Sequence, residues 1–369
     1  MHATLDSAGP IKGKSIIASN QGEDTGSMAK ALLMGIDLGT SRSSIVSMHG
    51  ARKTVDSYVG WPKDAVSRKH LKTDIIYGRA ALDNRLALNL YRPLEKGVIK
   101  GSGETNCDDE QKNLEAAKLL LKHLVDNIEP GRDEVLYGVV GVPSRATVKN
   151  KQAIISIARE VLDSVMLVSE PFSVAYGLER MSDVLVVDIG AGTTDLCRMH
   201  GTVPSDEDEI SYTIAGDAID QKLFELIQKR YPQAQITVNM CKQLKEKYGF
   251  VSEIKDKIEA VLPVNGKPVL HDVTSEIREA CMILVPPILE GIHKLVASFN
   301  PEFQEKLRHN IVLSGGGGQM DGLNKAIEDG MASIGGGKVV VVEEPLYAGA
   351  IGALQLAMDM PAEYWQQLR

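Results

Sequence analysis

Two stretches of the chain repeat one pattern, and this repeat constrains the fold more than any other feature. Residues 34–41 read MGIDLGTS and residues 186–194 read VVDIGAGTT. Each is an apolar run that ends in Asp-x-Gly and leads into small hydroxyl residues. The two aspartates, Asp37 and Asp188, lie 151 positions apart. Because such self-similarity reports architecture, the repeat predicts two domains that each begin with a strand–turn–strand hairpin.

Both Asp-x-Gly turns have the composition of a phosphate-binding site. Glycine lets the backbone approach an anion and adopt positive φ, and successive N–H groups form an anion nest. A buried aspartate can hold a cation through water. One such hairpin alone is an ordinary turn, but two in register predict a pair of turns that grip a nucleotide triphosphate and its magnesium.

Length and composition limit the function classes. A chain of 369 residues exceeds the size at which a single core stops growing, and the net charge of −8 argues against a nucleic-acid partner. We find no apolar run near membrane-span length and no signal-peptide pattern. The protein is therefore expected to be cytoplasmic, with no direct membrane insertion. The widely spaced cysteines are interpreted as structural thiols.

The order of the predicted elements gives a domain scheme. Residues 1–28 are expected to be a mobile tail. Residues 29–182 form a first α/β domain with an insertion at about 56–106 of irregular structure and short helices. Residues 183–344 form a second with an insertion at about 215–272, and residues 345–369 form C-terminal helices that return to the first. Alternating strands and helices predict parallel strands added to each hairpin.

Several familiar motifs are absent from the sequence. It contains no G-x-x-x-x-G-K-[ST], no G-x-G-x-x-G after a strand, no G-x-S-x-G and no H-E-x-x-H. These absences exclude the P-loop, the dinucleotide fingerprint and the common hydrolase motifs.

A glycine-rich loop and one acid add to the evidence for a binding site. Gly315, Gly316 and Gly317 follow a predicted strand and precede a helix, so they expose backbone N–H groups and leave room for a flat ligand; a flexible loop is the alternative. Glu170 stands between a strand and a helix that Pro171 starts. At that edge of an α/β sheet it can polarise a water molecule, or it is an ordinary helix-start acid.

Lys245 and Glu246 form the fourth candidate, on a helix predicted over 237–248. The pair can reach a ribose or an adenine. A solvated helical face explains the same spacing.

These motifs occur in the order hairpin, Ser-Glu-Pro, hairpin, triple glycine, which resembles the actin/Hsp70/sugar-kinase superfamily of ATPases. Ser169-Glu170-Pro171 is similar to MreB-like bacterial actins. Residues 59–64 (VGWPKD) and 201–204 (GTVP) are similar to the bacterial actins that organise magnetosome chains. The resemblance spans residues 34 to 352. It implies a two-lobed actin-like (ribonuclease H-like) α/β ATPase fold with the nucleotide cleft between the lobes.

The resemblance also implies roles for individual residues. Asp37 and Asp188 would hold hydrated Mg²⁺, Glu170 would position the hydrolytic water, and Asp188 would share in catalysis. ATP or ADP would contact the remaining positions: Gly39, Thr40, Ser41, Gly190, Gly192, Thr193, Thr194, Lys245, Glu246, Gly315, Gly316 and Gly317. Ser44 departs from eukaryotic actin, where a phosphate-contacting lysine is expected, and shares this departure with MreB-like proteins.

The implied partners are further copies of the chain in a homopolymeric filament and magnetosome-associated adaptor proteins. Three alternatives stay open: a small-molecule kinase on the same fold, an Hsp70-like ATPase, and a cell-shape actin of the MreB type. The chain is expected to leave no room for a peptide-binding domain, and residues 1–28 show no convincing amphipathic moment for membrane docking.

Overall fold

The structure, a computed structural model, describes residues 31–100, 107–253 and 256–368. The predicted tail at 1–28 lies outside these residues. The described chain divides into two compact units. The first comprises residues 31–180, Gly190–Gly192 and residues 346–368, and the second comprises Met181–Ile189 and Thr193–Pro345. The tip of the second hairpin thus belongs to the first unit, which the sequence-based division does not anticipate.

Strands and helices alternate along the chain. The strands are β1 (Ala31–Leu38), β2 (Arg42–Ser47), β3 (Arg52–Asp56), β4 (Val59–Pro62), β5 (Ile76–Tyr77), β6 (Leu88–Tyr91), β7 (Leu94–Glu95), β8 (Val98–Ile99), β9 (Val135–Val142), β10 (Ser164–Ser169), β11 (Ser182–Ile189), β12 (Thr194–His200), β13 (Glu209–Tyr212), β14 (Glu259–Val264), β15 (Lys267–Asp272), β16 (Ile311–Ser314) and β17 (Val339–Val341). The α-helices are α1 (Ala65–Leu71), α2 (Gly78–Asp83), α3 (Cys107–Asp126), α4 (Val148–Ala158), α5 (Glu170–Gly177), α6 (Gly216–Arg230), α7 (Val238–Tyr248), α8 (Thr274–Met282), α9 (Val285–Ala297), α10 (Gln304–Arg308), α11 (Leu323–Gly330), α12 (Ala348–Asp359) and α13 (Ala362–Gln367). Short 3₁₀ helices cover Arg85–Ala87, Asp206–Asp208, Gly316–Gln319 and Met331–Ile334.

Each unit is built on a five-stranded sheet with the same topology. The first sheet runs β10-β9-β1-β2-β3 and the second runs β17-β16-β11-β12-β13. In both, the strand that carries the aspartate is central, antiparallel to the next strand of its hairpin and parallel to a later strand. The repeated sequence pattern therefore corresponds to a repeated architecture, and the predicted α/β class is confirmed.

The first sheet is covered on both faces because the side chains of β1 alternate. Met34 and Ile36 pack in one buried cluster, and Leu33 packs in another with α12. Gly35 lies under α12 itself: a Cβ on this residue would stand 1.9 Å from the carbonyl oxygen of Ala350. Only glycine permits this approach of strand and helix. Nearby, Trp365 of α13 is buried and stacks on Tyr137.

One segment in the core of the second unit has the length and composition of a membrane-spanning helix. Thr274–Ala297 is long and apolar enough to cross a membrane, and half of that window is buried. The sequence interpretation, which found no apolar run near span length, overlooks it. In the structure the segment is two helices, α8 and α9, and their side chains Ile277, Ile288 and Ile292 are fully buried in the core. Core helices of soluble proteins pass the same test.

A buried ion pair fixes the loop that follows β12. The Nε atom of Arg198 lies 2.6 Å from Oδ1 of Asp208, and both side chains are almost fully buried. The backbone N–H and hydroxyl of Ser205 both donate to Oδ2 of Asp208 at 2.9 Å. Burial alone would raise the pKa of Asp208, but the hydrogen bonds from Ser205 and Arg198 outweigh it and hold this pKa at about 2.

The insertions are more regular than the sequence predicts. Within 56–106, the described residues include a three-stranded sheet, β5-β4-β6, and the small hairpin β7-β8 in addition to short helices. Within 215–272, strands β14 and β15 pair as an antiparallel hairpin.

Candidate functional site

The carboxyl ends of β1, β9 and β10 bring two predicted acids to one edge of the first sheet. Asp37 is in register with Gly141, and Gly141 with Val168. Strand β10 ends at Ser169, so Glu170 begins α5 at this edge. A Cβ on Gly141 would lie 3.4 Å from Cγ of Glu170, so the glycine leaves the space that the Glu170 side chain crosses. Open α/β sheets bind ligands at such edges.

Asp37 is half-buried, and two glycines stand beside its carboxylate. A Cβ on Gly349 would lie 3.4 Å from Oδ2, and a Cβ on Gly39 would lie 3.8 Å from Oδ1. Among the described residues, no hydrogen bond or ion pair to this carboxylate is formed. Desolvation raises its pKa from 3.8 to about 6. The charged form is therefore costly in the protein alone, and a cation would stabilise it.

The first Asp-x-Gly turn has its carbonyl oxygens occupied by donors inside the unit. Ser57 donates its hydroxyl to the carbonyl of Gly39 at 2.6 Å and its N–H to the carbonyl of Ser41 at 2.9 Å. Arg92 donates Nε to the carbonyl of Thr40 at 2.8 Å. These bonds fix the turn and cover the negative ends of its peptide dipoles, so the N–H ends can face an anion.

The tip of the second hairpin packs against this first turn. A Cβ on Gly192 would lie 2.5 Å from Oγ1 of Thr40 and 2.7 Å from the N and Cα atoms of Lys96. The buried hydroxyl of Thr40 also accepts the N–H of Gly97 at 2.9 Å. Within the first unit, the structure thus brings together predicted residues of both repeats.

Ser44, the position without the expected lysine, has a structural role in the first sheet. Its hydroxyl donates to the carbonyl of Leu346 at 2.8 Å and lies 3.1 Å from Oγ1 of Thr54. It ties β2 to β3 and to the segment that leads into α12. The side chain at this position therefore supplies no positive charge.

In the second unit, Asp188 and the glycine loop lie side by side. Asp188 is in register with Ser314, which immediately precedes Gly315. Gly315 has φ of +73°, and a Cβ on it would lie 2.4 Å from the carbonyl oxygen of Ile189. Gly317 also packs on Ile189, whereas a Cβ on Gly316 would meet no atom within 4 Å. Gly316 is thus the glycine that leaves open space beside the loop.

The two threonines of the second repeat differ in their surroundings. Both are buried, and Thr194 donates its hydroxyl to the carbonyl of Ile214 at 2.8 Å. That bond uses the only hydroxyl proton of Thr194, so the side chain ties β12 to the segment that follows β13. A phosphate contact by Thr194 would have to come from its backbone.

Lys245 has partners that the sequence does not reveal. Its ammonium group donates to the carbonyl of Gly216 at 2.7 Å and lies 2.7 Å from Oδ1 of Asp220. Both side chains of this ion pair are mostly buried. Desolvation raises the pKa of Asp220, and the charge of Lys245 offsets part of that rise. This ion pair holds α7 against the first turns of α6. The contact of the neighbouring Glu246 with a nucleotide stays a prediction.

The predicted residues therefore fall into two groups and one separate pair. The first unit contains Asp37, Gly39, Thr40, Ser41, Glu170, Gly190 and Gly192, and the second contains Asp188, Thr193, Thr194, Gly315, Gly316 and Gly317. Lys245 and Glu246 lie on α7. Sequence reasoning missed Ser57, Arg92 and Gly349, whose contacts with the turn and with Asp37 are long-range. The Lys96–Gly97 turn was also missed. Its one signal in the sequence is a two-residue loop that ends in glycine, which is typical of a β-hairpin.

No group of three or more His, Cys, Asp or Glu side chains that could hold a metal ion exists in the described part of the chain. Mg²⁺ in phosphate sites is commonly bound by one or two carboxylates, water and the phosphates themselves. A single carboxylate such as Asp37, which is costly to ionise in the protein alone, fits that kind of site.

Comparisons with known proteins identify the family of this chain. The model of the MreB/Mbl protein family matches residues 31–362. The chain is 38% identical over 346 residues to the actin-like protein MamK of Paramagnetospirillum magneticum strain AMB-1, covering 94% of this chain and 98% of the relative. Its structure matches a MamK double helical filament with a TM-score of 0.86 at 37% identity, covering 90% of this chain and 100% of that one. It also matches a non-polymerising MamK mutant bound to AMPPNP with a TM-score of 0.67 at 38% identity, covering 89% and 99%. The chain therefore belongs to the MreB/Mbl family of actin-like proteins, among its MamK relatives.

Proposed function

We propose that this protein is a filament-forming bacterial actin that binds ATP with Mg²⁺ and hydrolyses it to control filament turnover. The observation that carries the proposal is the match over nine-tenths of the chain to a MamK filament structure. The AMPPNP-bound MamK relative supports the choice of nucleotide. We further propose that these filaments organise and position magnetosomes in the cytoplasm, through adaptor proteins that link them to the vesicles.

The proposed nucleotide site uses the residues of both groups. The first turn, with Gly39, Thr40 and Ser41, would bind the β- and γ-phosphates together with Gly190, Gly192, Thr193 and Thr194. Gly315, Gly316 and Gly317 would face the adenosine, near Glu246. The open space at Gly316 supports this assignment. Lys245 would act on the adenosine only indirectly, because Asp220 and the carbonyl of Gly216 already engage its ammonium group.

Asp37 and Asp188 would hold hydrated Mg²⁺. The metal would neutralise charge on the phosphates and so assist phosphoryl transfer. The elevated pKa of Asp37 fits this role, because a carboxylate that is costly to ionise alone is stabilised when a cation arrives.

Glu170 would orient and deprotonate the attacking water. It stands at the sheet edge where β1 and β9 end, and Pro171 fixes the start of its helix. Since phosphoryl transfer depends mainly on positioning and charge neutralisation, we expect slow hydrolysis in an isolated subunit. Assembly would bring Glu170 into line, so the nucleotide state would time filament growth and release.

The deciding experiment is sedimentation of the purified protein after addition of ATP and Mg²⁺, followed by negative-stain microscopy. We expect pelleting that needs ATP, filaments in the pellet, and phosphate release that follows assembly. Liposomes added in parallel separate this function from a cell-shape actin of the MreB type, which would pellet with membrane. Protein that stays in the supernatant with ATP, or that phosphorylates a small molecule instead, would contradict the proposal.

A further inference from the structure

The small hairpin β7-β8 places its turn against both Asp-x-Gly repeats. Glu95 pairs with Val98, so the loop consists of Lys96 and Gly97 alone. The N–H of Gly97 donates to Oγ1 of Thr40 at 2.9 Å. The backbone of Lys96 stands 2.7 Å from where Gly192 would carry a Cβ. These contacts all lie within the first unit.

Lys96 is an unusual residue for the conformation it adopts. Lys96 and Gly97 have φ values of +50° and +69°. A two-residue hairpin loop with both φ values positive favours Asn-Gly or Asp-Gly, because asparagine and aspartate tolerate the left-handed region better than other side chains. A lysine is therefore less favourable than asparagine for this backbone conformation. Strain of this kind collects at functional positions.

The chain contains its own comparison for this turn. Hairpin β14-β15 closes with Asn265 and Gly266, at φ values of +51° and +77°. A Cβ on Gly266 would meet no atom within 4 Å. The same turn thus has the favoured asparagine where it faces open space, and a lysine where it touches Thr40 and Gly192. The difference fits a lysine that serves something other than the turn.

The positive charges available near the first Asp-x-Gly turn suggest the role of Lys96. The position of the expected phosphate-contacting lysine is occupied by Ser44, whose hydroxyl binds Leu346 and Thr54. The guanidinium of Arg92 reaches the carbonyl of Thr40 from the protein side. Lys96 is exposed, and among the described residues no ion pair to its ammonium group is formed.

We propose that Lys96 supplies the cation of the phosphate site, in place of the lysine absent at position 44, and that Gly97 orients the Thr40 hydroxyl beside it. This inference rests on the proposed nucleotide binding and names the residue that neutralises the phosphates. A turn that contacts both repeats is suited to this, because its position is fixed by the same groups that would bind the nucleotide.

The test is a set of three variants in which only Lys96→Asn should lose nucleotide affinity without losing stability. Lys96→Asn installs the residue the turn favours, so the thermal midpoint without nucleotide should stay equal or rise. Its affinity for AMPPNP with Mg²⁺ should fall about tenfold or more, since a charge-assisted contact to phosphate is lost. Lys96→Arg should bind close to the parent because it keeps the charge.

Asn265→Lys is the matched control at the remote hairpin. It should lower the thermal midpoint and leave the affinity for AMPPNP unchanged. Titration calorimetry below the assembly concentration gives the affinities, and differential scanning fluorimetry gives the midpoints. The inference is overturned if Lys96→Asn binds AMPPNP like the parent, or if Lys96→Arg loses as much affinity as Lys96→Asn. A parent protein that fails to bind AMPPNP would instead contradict the proposed function.

Discussion

The carboxylate of Asp37 faces Gly349 so closely that a Cβ on that glycine would lie 3.4 Å from Oδ2. Gly349 is near the start of α12, the helix that also packs on Gly35 of the same strand. The acid is therefore half-buried against backbone atoms, and desolvation raises its pKa to about 6. A carboxylate desolvated in this way costs stability whenever it is ionised without a cation.

Replacement of Asp37 by asparagine should stabilise the nucleotide-free protein at neutral pH. An acid whose pKa is raised by folding binds its proton more tightly in the folded state. Folding stability therefore falls as pH rises from about 4 through about 6, and this loss persists above pH 6. Asp37→Asn removes it, with an expected gain on the order of 2 kcal/mol at pH 7. Urea unfolding of both proteins at pH 4 and pH 7 checks this.

Asp37→Asn should also lose the Mg²⁺-dependent part of nucleotide affinity.

The gain in folding stability from Asp37→Asn should disappear near pH 4, where the parent carboxyl is already protonated. Equal stability of the two proteins at both pH values would show that the carboxylate is well solvated, and would remove the physical basis of its role.

Replacement of Glu170 by glutamine should separate assembly from hydrolysis. The variant keeps the shape of the side chain over Gly141 but cannot accept a proton. We expect filaments to form with ATP while phosphate release falls by about 10²- to 10⁴-fold, so the filaments should outlast those of the parent. Glu115→Gln, on the exposed surface of α3, is the control. A wild-type release rate in Glu170→Gln would exclude the residue from this step.

Asp188→Ala should weaken the Mg²⁺-dependent cycle of ATP hydrolysis. The second repeat would lose the carboxylate that lies beside Ser314 and the glycine loop. Phosphate release measured against Mg²⁺ concentration should shift to higher metal concentrations. Unchanged phosphate release and filament turnover would argue against a role for Asp188.

Replacement of Lys245 by methionine tests whether this lysine is structural. Removing one partner of a buried ion pair costs about 3–5 kcal/mol, and the raised pKa of Asp220 will reduce that cost by letting the acid take up a proton. We expect a lower urea midpoint, with recovery in the double variant Lys245→Met/Asp220→Leu. A variant of parental stability that binds AMPPNP poorly would instead assign Lys245 to the adenosine.

The sequence predicts those parts of the fold in which a run of residues is long enough to show a hydrophobic period or a repeated motif. Two runs ending in Asp-x-Gly predict two hairpins, and the structure builds an equivalent sheet on each. By contrast, β5, β7 and β8 have two residues each, too few to show a period. The ion pair between Lys245 and Asp220 joins two helices, and no local spacing distinguishes such a lysine from a solvated one.

Some site features depend on contacts between distant segments. The burial of Asp37 against backbone atoms needs Gly349, and the orientation of Thr40 needs Gly97. Glycines at 141, 192 and 349 look alike in sequence, although each makes room for a different atom. Composition can predict that a phosphate site exists, but the identity of its cation and the pKa of its acid require the packed structure.

The contact between Gly35 and α12 has a consequence for biosynthesis. Strand β1 is translated well before α12, the helix that covers one of its faces, because the two elements are far apart in the sequence. The second unit is nearly continuous in sequence and can fold while translation proceeds. The first unit must wait with an apolar strand uncovered, so β1 is exposed to aggregation until α12 has been made.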